Sequence, residues 1–170
     1  MSDIKALDLM LKLASFIFSF ILKLFYDNDN ILIKGKWHAA WQTSVKNSNL
    51  INFELLDIKQ RGKIVKISNV TKSQENLTAG YTWHSKLNLY QGKFLMGTYF
   101  PLAEEQNNSK GVLFLVYEFQ RKIFFGKWVG NGYDGDLLSG FVVIAKEKNL
   151  AEDQLNLLIN KYPGPAKIDF

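Results

Sequence analysis

Aromatic and basic side chains recur along the chain at positions that could bind a small, planar, anionic ligand. Aromatic faces stack on nucleobases, and cationic side chains pair with phosphates. The candidate ligand-binding set is Trp37, Trp41, Arg61, Tyr81, Trp83, His84, Tyr99, Lys127, Trp128 and Tyr133, with Lys66 and Lys86 as further cations. Because aromatic side chains also fill the cores of β proteins, core packing is the alternative interpretation of each ring.

Catalytic and metal-binding patterns are missing from the sequence. It contains no G-x-S-x-G, H-E-x-x-H or G-x-x-x-x-G-K-[ST] motif. With no Cys and 2 His, the chain offers no thiol nucleophile, zinc finger or disulfide scaffold. The glycine-rich segment 130–135 has no helix after it, so we interpret it as a hairpin turn rather than a phosphate loop. We therefore expect a binding protein that is not an enzyme and that needs no cofactor or metal.

Most of the chain has the pattern of an antiparallel β domain. From Ile31 onward apolar residues recur with a period of two, and turn residues interrupt them at short intervals. The predicted strands are 32–45, 51–59, 63–71, 78–90, 93–101, 111–120, 123–130 and 137–146. Connections this short exclude parallel βαβ units. The pattern predicts a mainly β fold, an eight-stranded antiparallel up-and-down barrel, whose interior admits side chains or one small ligand.

Two smaller features accompany the predicted strands. Gly97, Gly126 and Gly140 lie within apolar strands, where they either allow sharp coiling or open space for a ligand. A short C-terminal helix is predicted at about 150–161, with Asn149 as N-cap and Glu152 as its partner in a capping box. We expect this helix to plug or flank the barrel, and we assign residues 31–170 to one β-barrel domain.

Residues 1–30 form a separate N-terminal segment and linker. Residues 4–26 contain neither Gly nor Pro, and their polar residues fall on one narrow arc of a helix. The apolar part of this stretch, Leu9 to Phe25, has 17 residues, the lower limit for spanning a hydrocarbon layer of roughly 30 Å. The alternatives are a helix packed on a soluble domain and a signal peptide. For a membrane helix, the residues expected to mediate lipid contact and self-association are Lys12, Ser15, Phe16, Ser19, Phe20 and Lys23.

Composition narrows the class of partner. The chain has 170 residues, 14% of them aromatic, and a formal net charge of +5. Such a modest charge argues against a protein that binds DNA or RNA polymers. The high aromatic content instead indicates that the protein has large apolar surfaces, which must be shielded from water.

Three segments together resemble a known family. They are IKGKWHAAW (33–41), LYQGKFLMGTYFPL (89–102) and GVLFLVYEFQRKIFFGKWVGNGYDGDLLSGFVV (111–143). Their order resembles the membrane-anchored β-barrel effectors of bacterial cyclic-oligonucleotide antiphage defence (CBASS). That family joins two N-terminal transmembrane helices to a lipocalin-like barrel, whereas this chain has one hydrophobic segment. The resemblance implies that the barrel senses a cyclic dinucleotide, and that sensing drives homo-oligomerisation and disruption of the bacterial inner membrane, with the barrel in the cytoplasm.

Two functional hypotheses remain open from the sequence. In the first, a cyclic nucleotide or similar small anionic ligand controls association of the N-terminal helices and thereby membrane disruption in antiviral defence. In the second, a lipocalin-like barrel carries or sequesters a small ligand and does not disrupt membranes. Loss of toxicity on removal of residues 1–27 would favour the first hypothesis.

Overall fold

The computed structural model describes residues 31–45, 48–70, 82–102, 110–131 and 136–163. Its strands are β1 (Gly35–Val45), β2 (Ser48–Arg61), β3 (Ile64–Asn69), β4 (Trp83–Tyr90), β5 (Phe94–Pro101), β6 (Gly111–Glu118), β7 (Ile123–Asn131) and β8 (Leu137–Ala145), followed by helix α1 (Lys148–Lys161). The predicted N-terminal helix lies outside the described residues, as do its residues Lys12, Ser15, Phe16, Ser19, Phe20 and Lys23.

The strands form a closed antiparallel barrel in sequence order. Each strand pairs with the next, and β8 returns to β1 along a short seam from His38↔Ala145 to Trp41↔Val142. The prediction of an eight-stranded antiparallel barrel is thereby confirmed. Closure removes both free sheet edges, so the backbone groups of the first and last strands find partners.

Alternation along the strands separates the interior from the outer surface. In β4 the burial alternates strictly, with Trp83, Leu87 and Leu89 inside and His84 and Lys86 outside. The middle of the barrel is filled by aliphatic side chains, namely Leu56, Val65, Leu87, Leu95, Leu115 and Val142, none of them more than 1% exposed. A ligand therefore has no room in the middle of the barrel, and any binding inside it is confined to the barrel ends.

The two ends differ in their connections. At the upper end, as we call it, β1 joins β2, β3 joins β4, β5 joins β6 and β7 joins β8. The connections 70–82 and 102–110 are the long ones, whereas the lower end has tight turns such as Gln91-Gly92, where both residues have positive φ. Ligand sites of β-barrels often lie at the mouth of the barrel.

The strand glycines permit close approach of neighbouring strands. A Cβ added to Gly97, Gly126 or Gly140 would collide with the carbonyl oxygen of Lys86, Phe114 or Gln42 respectively. These contacts are with backbone, which cannot move aside as a flexible side chain can. The geometry supports the coiling interpretation of the three glycines rather than the one in which they open space for a ligand.

Helix α1 flanks the barrel and does not plug it. Its buried residues Ala151 and Leu155 join a cluster with Ala40, Val143 and Ala145 on the outer face of β1 and β8. The predicted capping box is wrong: the N-cap is Glu147, and no side chain caps the first turn. The helix begins at Lys148, two residues earlier than predicted, and both added residues are exposed.

Residues 31–170 form one compact unit. Within the described ranges, no helix combines the length and the apolar character needed to cross a bilayer.

Candidate functional site

A cluster of aromatic rings lies inside the upper end of the barrel. Trp41 and Trp83 meet edge to face, with ring centroids 5.4 Å apart and an interplanar angle of 89°. Tyr99 extends the cluster, its ring centroid 6.3 Å from that of Trp83. Trp83 and Tyr99 are buried, whereas Trp41 is partly exposed. Three of the predicted ligand-binding residues, from strands β1, β4 and β5, are thus brought together.

Glu54 places a carboxyl group beside these rings. Trp83 Nε1 donates a hydrogen bond to Glu54 Oε2 at 2.9 Å, and Asn69 Nδ2 donates to Glu54 Oε1 at 3.5 Å. Asn69 in turn accepts a bond from the backbone N–H of Trp83 through Oδ1, at 3.0 Å. We call Trp41, Glu54, Asn69 and Trp83 the tryptophan–glutamate cluster. Its members come from the four successive strands β1 to β4, so the pairing of these strands brings them together.

Burial changes the acidity of Glu54. Removal of the carboxyl from water raises its pKa from 4.5 to about 7, while hydrogen bonds from Trp83, Asn69 and Trp41 act in the opposite direction. The Trp41 contribution is weak, because the buried Trp41 Nε1 makes no hydrogen bond of normal geometry. Glu54 itself keeps part of its surface accessible. Near neutral pH the carboxyl can therefore both accept and donate hydrogen bonds.

Trp128 is engaged in closing the barrel at the upper end. Its Nε1 donates to the carbonyl oxygen of Gln42 at 2.9 Å, and Gln42 Oε1 accepts the backbone N–H of Phe141 at 3.0 Å. These two bonds extend the β1–β8 seam beyond its last regular pair, Trp41↔Val142. Because the ring of Trp128 is only partly buried, its face still contributes to the mouth of the barrel.

The remaining members of the predicted set lie elsewhere. Trp37 packs against Phe124 toward the lower end, with ring centroids 5.9 Å apart. Arg61 is exposed at the lower turn between β2 and β3, and His84 and Lys127 project from the outer surface. Lys66 and Lys86 are also exposed on the outside. Tyr81 and Tyr133 fall outside the described residues.

The sequence analysis overlooked the polar members of the cluster, above all Glu54 and Asn69. One signal was available, because Glu54 precedes Leu56 and Ile58 by two and four residues and so shares their face of β2. A carboxylate on the apolar face of a strand is exceptional, and it indicates a candidate functional site. Asn69 gave no comparable signal, since its contact with Glu54 on the neighbouring strand β2 depends on the register of the two strands.

The chemistry available at the upper end is recognition by hydrogen bonding and ring contact. Among the residues described, no group of three or more His, Cys, Asp and Glu could hold a metal ion. A titratable carboxyl surrounded by indole rings suits a flat ligand that carries N–H donors. Lys110, exposed just before β6, adds a cation at the same end.

Comparison with known proteins leaves the family open. The chain matches no protein-family model and no curated protein.

Proposed function

We propose that the barrel binds a cyclic nucleotide at its upper end, and that binding controls self-association and membrane disruption by the N-terminal segment in bacterial antiphage defence. The supporting observation is the tryptophan–glutamate cluster, a polar and aromatic group inside the end with the longer connections. In this proposal the ligand binds at the mouth of the barrel, and the aliphatic side chains that fill the middle support that choice.

The cluster has the groups that a nucleobase requires. The partly exposed rings of Trp41 and Trp128 offer aromatic surface for stacking. Glu54 offers a carboxyl that can pair with the N–H donors of a base. Lys110 can pair with a phosphate at the rim of the upper end, whereas the Glu54 carboxylate inside it would repel one. The base would therefore bind inside the barrel end, with the phosphates outside it.

The effector role draws on the sequence. Residues 4–26 have the length and apolar character for membrane insertion, and the three resembling segments point to the CBASS effectors. In this proposal the barrel faces the cytoplasm at the bacterial inner membrane, and the ligand favours one homo-oligomeric state by binding it more tightly than the other.

Thermal unfolding of the full chain with a panel of cyclic mono- and dinucleotides tests ligand binding. A ligand at about 100 times its dissociation constant stabilises the folded state by about 2.7 kcal/mol, which gives a measurable rise in Tm. Trp41→Leu should abolish this rise, whereas Arg61→Ala at the lower end should leave it unchanged. A panel that leaves Tm unaltered contradicts the proposal.

Toxicity on expression tests the effector role separately. Cells that produce both the protein and its ligand should stop growing, and removal of residues 1–27 should restore growth. Ligand binding with harmless expression of the full chain would instead indicate a carrier or sequestering protein.

A further inference from the structure

Three lysines stand directly opposite one another on the outer surface of the barrel. Lys59 on β2 pairs with Lys66 on β3, and Lys66 pairs with Lys86 on β4. All three are exposed. Like charges at directly opposed positions of a sheet destabilise it, so folding alone does not account for this row.

Among the described residues, acidic side chains leave most of this row without an ion pair. Lys59 approaches Asp57 at 3.9 Å, but Asp57 also approaches Lys36, at 3.5 Å. Within the described ranges Lys66 and Lys86 form no ion pair. The strands β3 to β7 contain one acidic residue, Glu118, which lies at the lower end beside Arg121. Within these strands the outer surface is therefore cationic.

An apolar strip adjoins the lysine row on β5 and β6. Its most exposed members are Val112 at 50%, Met96 at 42%, Phe114 at 42% and Phe100 at 40%. Met96 pairs with Phe114 across the two strands, and Thr98, the partner of Lys86, pairs with Val112. Phe94 stacks on Phe114, with ring centroids 6.1 Å apart. Large apolar side chains thus form a continuous patch rather than isolated exposures.

Cations border this strip on both sides. Lys86 flanks it on β4, opposite Thr98, and Lys127 on β7 stands opposite Phe114. The Lys127 ammonium lies 4.9 Å from the ring centroid of Phe141. We call the surface formed by Lys86, Met96, Val112, Phe114 and Lys127 the β4–β7 face.

We propose that the β4–β7 face docks on an anionic lipid bilayer, with its apolar strip at the headgroup boundary and its two lysines on lipid phosphates. Protein surfaces that lie at a membrane interface combine these two features. Their apolar side chains partition into the outer few ångströms of the bilayer, and their basic side chains are attracted by anionic headgroups. A soluble polyanion would use the lysines and leave the apolar strip in water. The proposal concerns the outside of the barrel and does not depend on a ligand at the upper end.

A fluorophore on the face itself reports docking, whatever other part of the chain meets the membrane. Since the sequence has no Cys, Val112→Cys gives a single site for an environment-sensitive dye such as NBD. With vesicles of phosphatidylcholine and phosphatidylglycerol, the dye emission should shift to the blue and brighten. With phosphatidylcholine alone the spectrum should stay that of the free protein. The matched control, Asn156→Cys on the exposed side of α1, should show no shift with either vesicle.

Charge reversal then tests the lysines. Lys86→Glu with Lys127→Glu, in the labelled chain, should weaken vesicle partitioning roughly thirty-fold or more, since each basic residue near an anionic surface contributes about 1 kcal/mol. Lys122→Glu with Lys161→Glu makes the same change in net charge away from the face and should have a much smaller effect. Lys86→Glu alone should leave Tm unchanged or raise it, because it relieves the repulsion between Lys86 and Lys66.

Three results would overturn the proposal. The first is an unshifted dye at position 112 in protein that sediments with anionic vesicles. The second is an equal shift with neutral vesicles, which would remove the role of the lysines. The third is an equal loss of vesicle partitioning in both charge-reversal pairs, which would show that partitioning depends on the net charge of the protein and not on the lysines of this face.

Discussion

Glu54 is the residue at which the interior of this barrel departs from an ordinary apolar core. A carboxyl taken out of water is costly unless donors surround it. Here the indole of Trp83 and the amide of Asn69 supply hydrogen bonds, yet desolvation still raises the pKa to about 7. The folded protein therefore retains a proton on Glu54 that the unfolded chain releases at lower pH.

This difference predicts that stability declines with rising pH. The folded state binds more protons than the unfolded state between the two pKa values, 4.5 and about 7, so the free energy of unfolding falls across that window and then levels off. A pKa difference of about 2.5 at about 1.36 kcal/mol per unit gives a loss of about 3 kcal/mol. Urea unfolding of the parent and of Glu54→Gln from pH 4.5 to 8.5 measures it.

The variant should lack this decline, because glutamine does not titrate. At pH 8 we expect Glu54→Gln to be at least as stable as the parent, and below pH 5 to be no more stable. Glu147→Gln, an exposed change outside the barrel interior, is the control and should follow the parent curve. Parallel curves for Glu54→Gln and the parent would show that the carboxyl is solvated.

At the scale of elements, helix α1 shows how packing and local preference compete. Its first turn has no side-chain cap, and its N-cap is Glu147. Ala151 and Leu155, four residues apart, face β1 and β8, whereas Leu157 is 58% exposed. The helix is therefore stabilised by the packing of its buried face on the barrel rather than by capping interactions at its N-terminus.

Two leucines of this helix provide a matched pair. Leu155→Ala should lower the free energy of unfolding by about 2–5 kcal/mol, because it removes a fully buried side chain and leaves a cavity. Leu157→Ala makes the same chemical change on the exposed side and should cost less than about 0.5 kcal/mol. Denaturant unfolding of both variants is the measurement, and equal losses would mean that α1 is not docked through Leu155.

At the scale of the whole molecule, stability depends on closing the ring between strands far apart in sequence. The bond from the Phe141 N–H to Gln42 Oε1 spans 99 residues, and the regular β1–β8 pairing covers only His38 to Trp41 on the β1 side. The interior cluster draws on all eight strands. Opening the seam therefore exposes the core that every strand shares.

We expect the barrel to unfold as one cooperative unit. Tryptophan fluorescence and far-UV circular dichroism should give coincident denaturant transitions, since the tryptophans lie in the shared core. Gln42→Ala leaves the Phe141 N–H without its partner and should shift both transitions together, by about 1–3 kcal/mol. Asn88→Ala on the exposed outer surface should shift neither appreciably. Separate transitions for the two probes would contradict a single unit.

The strands, their antiparallel order and the barrel were all predicted from the sequence and agree with the structure. Those features follow from local information, because the period of two fixes which side chains share a face and short turns join neighbouring strands. The start of α1 was predicted two residues too late, because Asn149 does not serve as the N-cap. The meeting of Trp41, Glu54, Asn69 and Trp83 at one end, and the row of Lys59, Lys66 and Lys86, are seen only in the folded barrel. Both need the register of β3 against β4, and the long connection 70–82 leaves that register to the pairing of the two strands themselves.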